Sequence, residues 1–263
     1  MQVSFPSYAS RYLPALSLAE IRALRHPEKI PVIIATGAIE QHGPQLPVAV
    51  DSFLGQVWIE RTLALLDPSI EVLVAPPVTV GKSNEHVGFP GTLMISKDTL
   101  REQLLALARQ LKAWGFRHLI YINTHGGNIS VLNYTRREIE FELGMKTYLL
   151  KGGYDMELPA QEAAYGFHAN TAETAFLYAL APQFTHPEEA PCHYPAHIED
   201  PGELRPECAP ATYAWASQDI SPHGVMGDAK AATAELGAKW VTGIAQAYAE
   251  NLSQLAAKIR QMI

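Results

Sequence analysis

Short apolar runs alternate along this chain with longer segments in which apolar residues recur every three or four positions. Val32-Ile33-Ile34-Ala35-Thr36, ending at Gly37, reads as a buried strand. Val72 to Ala75, stopped by Pro76-Pro77, is a second; Leu119 to Asn123 and Lys146 to Leu150 follow. Helical patterns lie between them. One starts at Asp51, which caps or immediately precedes it, and carries Phe53, Leu54, Val57, Trp58, Thr62 and Leu63. Another places Leu100, Leu104, Ala108 and Leu111 on one face, with Ser96 or Asp98 as cap and Gly115 beyond the last turn. Further helices are predicted over much of Ser130 to Phe141, over Thr171 to Leu180, and from Asp228 or Ala229 through Trp240, Tyr248 and Leu252 to Ile259. The alternation predicts a three-layer α/β sandwich around a mostly parallel sheet. Residues 181–225 are punctuated by proline, from Pro182 to Pro222, and are expected to form a structured covering loop.

Composition narrows the class of function. With 263 residues the simplest organisation is one domain spanning 1–263. Against 20 Lys plus Arg stand 27 Asp plus Glu, a formal charge of -7, and no long basic run that would track nucleic acid. A small-molecule substrate is favoured. No stretch reaches the roughly 20 apolar residues of a membrane span, and no leader pattern opens the chain, so a cytoplasmic protein without membrane contact is expected. Cys192 and Cys208 lack metal-like spacing, and a disulfide between them is optional.

The candidate chemistry collects where strands end and helices begin. Glu40 and His42 alternate across Gln41 in the loop after the first strand, so an extended backbone directs both toward one space, and Asp51 returns after a Gly/Pro-containing loop. Carboxylate oxygen and imidazole nitrogen together suit zinc or manganese, and one carboxylate can bridge two ions. The plain alternative is that Glu40 and Asp51 satisfy loop and cap donors while His42 makes an ordinary polar contact. His125 shifts the balance, because it lies between a strong strand and the turn Gly126-Gly127, where parallel α/β proteins place reactive groups. Glu173 falls early in a predicted helix, where exposed backbone donors could also account for it.

Several blocks resemble the creatininase (creatinine amidohydrolase) family. They are Gly37-Ala38-Ile39-Glu40-Gln41-His42-Gly43 with Asp51, Phe89-Pro90-Gly91-Thr92, Asn123-Thr124-His125-Gly126-Gly127-Asn128, His168-Ala169-Asn170-Thr171-Ala172-Glu173-Thr174, and Gly224-Val225-Met226-Gly227-Asp228. The resemblance implies a creatininase-like fold, cleavage of a cyclic amide or related C–N bond, a homo-oligomer with a hexamer as the candidate state, and two divalent metals. Zn²⁺ and Mn²⁺ lead, with Fe²⁺ a further option. It places Glu40, Asp51 and His125 around one metal, and His42 with the bridging Asp51 around the other. His168 resembles the family's catalytic histidine, which exchanges protons with activated water and the leaving nitrogen.

Two departures bear on substrate. Creatininase supplies a glutamate to its second metal from the motif Asn-Gly-His-Tyr-Glu-Asn, and the corresponding residue here is Gly127. Glu173 is the expected substitute. Creatininase also carries a tryptophan shortly before its catalytic histidine, whereas Gln161 to Phe167 has none; Tyr165 or Phe167 would have to cover the site. Both departures point away from creatinine itself. The family also acts on formylated pyrimidine intermediates, a cofactor-precursor peptide and a cyclic inositol-derived ketone. Ser83, Glu85, His86, Gly126 and Gly127 are the candidate substrate contacts; a non-catalytic metal-binding assembly protein is the alternative from another class.

Overall fold

The computed structural model describes residues 5–204, 211 and 214–262. Cys208 lies outside them, and Cys192 is an exposed free thiol. Four strands form one parallel sheet in the order β2-β1-β3-β4, where β1 is Val32–Thr36, β2 Leu73–Val74, β3 His118–Asn123 and β4 Lys146–Leu149. β1 and β3 pair over their full facing length, from Val32 opposite Leu119 to Thr36 opposite Asn123. Because strand side chains alternate, these two apolar strands feed two cores. Val32, Ile34, Leu119 and Tyr121 pack with Leu100, Leu104 and Leu111 of α3 (Lys97–Ala113) and Leu132 and Ile139 of α4 (Ile129–Leu143). On the other face, Ile33, Ala35, Ile120 and Ile122 meet α2 (Val50–Leu65), α6 (Thr171–Leu180) and α8 (Ala234–Gln261). The three layers expected from the sequence are therefore present. Among the described residues no helix is long and apolar enough to cross a membrane.

The remaining elements are short: α1 (Leu18–Ala23), α5 (Ala160–Tyr165), α7 (Ser217–Ile220), and a two-stranded antiparallel ribbon of β5 (Cys192–His193) with β6 (Gly227–Asp228). Among its described residues the proline-punctuated region contributes turns, β5 and α7 rather than long elements.

Several boundaries differ from the sequence reading, β3 and β4 by one residue each, and three others have a local cause. β2 keeps only Leu73 and Val74 because Pro76-Pro77 removes donors directly after it. α8 begins at Ala234, where the Thr233 side chain accepts from Leu236 N–H; the segment Ala229–Ala231 is a separate 3₁₀ turn. Asp51 neither caps nor precedes α2. It sits inside the first turn, after Ala49 as the capping residue, so its carboxylate is free for other work.

All four strands point one way, and the loops leaving β1 and β3 converge with the start of α2. Asn128 stitches them: its Nδ2 donates to Gly37 O at 3.0 Å while its Oδ1 accepts from Lys82 N–H at 3.0 Å. Thr124 Oγ1 donates to Asp51 O at 2.7 Å. The contact that sets the spacing is at Gly37, where a Cβ would lie 2.7 Å from both Ser52 N and Ser52 Cα. Those neighbours are backbone atoms and cannot rotate away. Gly37→Ala is therefore expected to cost about 1–3 kcal/mol, read as a lower denaturant midpoint at unchanged slope; an unchanged midpoint would show that the α2 start gives way freely.

Candidate metal centre

Glu40 and His42 leave β1 on a loop tied down by Glu40 N–H donating to Val48 O at 2.8 Å. His42 Nδ1 lies 3.0 Å from Glu40 O, a carbonyl that only accepts, so the ring proton sits on Nδ1 and Nε2 is left facing inward. That Nε2 is buried with no hydrogen-bond partner, 3.5 Å from Asp51 Oδ1 and 3.9 Å from Glu173 Oε2. His125 follows β3, its backbone held by Asn123 Nδ2 donating to its carbonyl at 2.7 Å. Its Nε2 is 2.9 Å from Lys82 O, which leaves Nδ1 facing Glu40 Oε1 and Asp51 Oδ2, each at 3.2 Å.

Among the described residues four groups of three side chains could converge on an ion, Glu40-His42-His168 and Glu40-Glu85-His86 among them, and the other two share Asp51. Glu40, Asp51 and His125 can converge on a single ion, as can His42, Asp51 and Glu173. Asp51 turns Oδ1 toward one set and Oδ2 toward the other. Glu40 Oε2 and Asp51 Oδ2 are also buried without hydrogen-bond partners, although buried oxygens are almost always satisfied. Mixed nitrogen and oxygen donors with orphaned inward atoms fit divalent cations. Glu173, on the N-terminal turn of α6, accepts from Ala169 N–H at 2.7 Å and keeps 22% side-chain exposure, so its second set opens toward solvent.

The other candidate residues divide. His168 is held by an antiparallel bridge to Met226 and by Ala169 in a left-handed conformation (φ 50°). Its ring lies between those of His42 and His86, each centroid 4.3 Å away. His86 Nε2 stands 3.4 Å from Glu40 Oε1 and His168 Nδ1 stands 3.6 Å from it. Glu85, His86, Gly126 and Gly127 line a cavity of about 560 Å³ over Glu40 and His125. Ser83 does not; it is fully buried behind His125, with Oγ 3.2 Å from Nε2. At Gly127 a Cβ would collide with Glu85 Oε1, His125 Nε2 and Lys82 O, so Glu85 occupies the space a side chain there would need. Sequence reasoning missed Trp215, whose ring packs against Phe167 at 5.8 Å; the two form an aromatic wall where residues 161–167 carry no tryptophan. It also passed over Gln41 as a spacer, although its position between two ligand candidates was the available signal.

Burial and mutual proximity set the charges. Burial opposes protonation of His42, but Asp51, Glu173 and Glu40 outweigh it and push its pKa up to about 9. His125 is raised for the same reason, burial opposing and Glu40 and Asp51 prevailing. Burial raises Asp51, and His42 and His125 override it to hold the carboxyl below its ordinary range. His168 goes well below the ordinary imidazole value through burial, reinforced by His42 and His86. Glu173 is pushed up by burial.

A family model described as Creatininase: Creatinine amidohydrolase matches residues 14–252. The chain belongs to the creatininase family. Within it, the chain is 31% identical over 210 residues, 78% of its own length and 77% of the relative's, to a mycofactocin precursor peptide peptidase of Mycolicibacterium smegmatis. It is 27% identical over 224 residues, 78% and 70% of the two chains, to a 3-dehydro-scyllo-inosose hydrolase of Thermotoga maritima. A solved structure described as creatininase Mn superposes with a TM-score of 0.71 at 22% identity, covering 96% of this chain and 98% of the other. The creatininase-family fold and the hydrolase class follow from these likenesses.

With the His42 pKa at about 9, the metal-free protein carries at neutral pH a proton that a cation must displace. Metal loading is expected to release protons, and apparent affinity to climb as pH rises toward that value. The same imidazolium stabilises the metal-free fold fully below the unfolded pKa of about 6.5, a contribution lost as pH rises through about 9. Isothermal titration calorimetry in buffers of different ionisation enthalpy checks this; a binding heat independent of buffer contradicts it.

Proposed function

We propose that the chain is a two-metal amidohydrolase that hydrolyses a C–N bond in a small cyclic amide or formamide. The observation that carries this is Asp51, one carboxylate with its two oxygens turned toward two different donor sets. Glu40, Asp51 and His125 would hold one ion; His42, Asp51 and Glu173 would hold the other, Glu173 taking the place of the glutamate missing at Gly127. The donor types suit zinc and manganese, with iron a third option. When bound, such ions supply a water nucleophile activated near neutral pH and polarise the scissile carbonyl.

The chain's own groups do the rest. His168, buried and neutral at pH 7, is poised to take a proton at Nδ1, the nitrogen facing Glu40, and to hand it to the leaving nitrogen. The rings of His42 and His86 on either side fix its plane. Phe167 and Trp215 close one wall and exclude water. Glu85, His86 and the Gly126-Gly127 turn face the substrate.

A second reading is favoured by size. The cavity of about 560 Å³ lies within the roughly 300–1,000 Å³ typical of drug-sized ligands, more room than a small ring needs. It is walled by Ile129, Phe167, Leu204 and Trp215, which suits the apolar side chains of a peptide end. The likeness to a precursor-peptide peptidase agrees with it.

Asp51→Asn is expected to strip both metals, measured by elemental analysis of the purified protein. His168→Ala is expected to retain them while kcat falls about 10²–10⁴-fold; undiminished turnover would remove its proton-transfer role. Metal-replete protein incubated with cyclic amides, formamides and short peptides should release product from one class. A blank result across all three would sink the hydrolytic reading.

A further inference from the structure

The side chain of Gln41 meets two backbone groups of fixed character, Gly43 N–H and Gly224 O, and two histidine nitrogens whose roles follow from them. Gly43 N–H donates to Oε1 at 2.9 Å, which settles the amide's orientation. Nε2 therefore carries two protons and faces three neighbours: Gly224 O at 3.1 Å, His86 Nδ1 at 2.9 Å and His168 Nε2 at 3.0 Å. The Gly224 carbonyl can only accept and takes one proton. His168 Nε2 lies 2.7 Å from Gln41 O, also a pure acceptor, so His168 carries its own proton there and needs none from the amide. The second amide proton goes to His86 Nδ1. A protonated His86 Nδ1 would set two N–H groups head to head at 2.9 Å. Ser217 Oγ, 3.1 Å from the same Nδ1, can donate or accept and does not oppose this assignment.

The consequence reaches the space above Glu40. With Nε2 protonated, His168 presents a bare Nδ1, and with Nδ1 accepting, His86 presents Nε2–H; both atoms face Glu40 Oε1, at 3.6 and 3.4 Å. We propose that Gln41 is a positioning residue that locks His168 and His86 in the same Nε2–H tautomer, so that one offers a proton acceptor and the other a proton donor to the cavity. This rests on the hydrolase reading for its use and on hydrogen-bond accounting for its existence. It also explains Gly224, which has a left-handed φ of 73° and no room for a Cβ beside the Gln41 amide.

The test is nitrogen NMR of the histidine side chains, recorded with zinc and without it at mildly alkaline pH, so that a failure of metal binding leaves the measurement intact. Wild-type protein should show His168 and His86 both protonated at Nε2 and bare at Nδ1. A proton on Nδ1 of either ring overturns the proposal, and this holds whether or not any variant folds. In Gln41→Glu the side chain can no longer donate, so His86 should invert to Nδ1–H while metal content stays at the wild-type level and kcat falls about 10–100-fold. A fall in kcat with both tautomers unchanged would mean that Gln41 acts only as packing, and would equally overturn the proposal.

Discussion

The site depends on how closely the end of β1 can approach the first turn of α2. Gly37 lets the two backbones touch at Ser52, and that contact brings Asp51 beneath Glu40 and His42 rather than leaving it out over solvent. Thr124 ties the same turn to the end of β3, and Asn128 ties the β1 loop to the Lys82 segment. Three loops of a parallel sheet are thus fixed to one helix terminus. Side chains supported this way keep their relative positions without help from a ligand.

That preorganisation concentrates charge where water is scarce. Glu40, His42, Asp51, His125 and His168 are all nearly inaccessible, and their orphaned oxygens and nitrogen face one another. In a metal-free chain His42 and His125 hold protons that neutralise the carboxylates while His168 stays neutral, an arrangement in which desolvation competes with attraction. Two cations would satisfy the same atoms with the histidines neutral. Folding and metal loading are therefore linked through the same handful of protons.

Much of this was legible in the sequence, and for identifiable reasons. The apolar strands, the Gly and Pro stops and the cap at Ser96 are local signals, and the structure places the sheet and the main helices where they point. The candidate ligand residues stood out because each lies at a strand end or helix start, and the structure brings them together. What was not legible depended on contacts between distant segments. Trp215 is 47 residues beyond His168 in numbering, so no local pattern marks it as part of the cavity wall. Ser83 looked like a loop residue available to substrate but is folded behind His125. The start of α8 was set by Thr233, a cap hidden in an alanine-rich stretch that reads as helix throughout.

Gly127 has a consequence for how such an enzyme can change. Its missing side chain leaves room for Glu85, whose carboxylate stands 3.3 Å from His125 Nε2 and pairs with Lys82 at 3.1 Å while also facing the cavity. A single loop, residues 82–86, then forms part of the pocket wall and orients a histidine of the candidate donor set. If His125 holds an ion as proposed, selectivity and metal retention become one variable rather than two. A drift in that loop that admits a new substrate would loosen the His125 ring in the same step, so changes of specificity along this line of descent would have to pass through compensating changes on the β3 side.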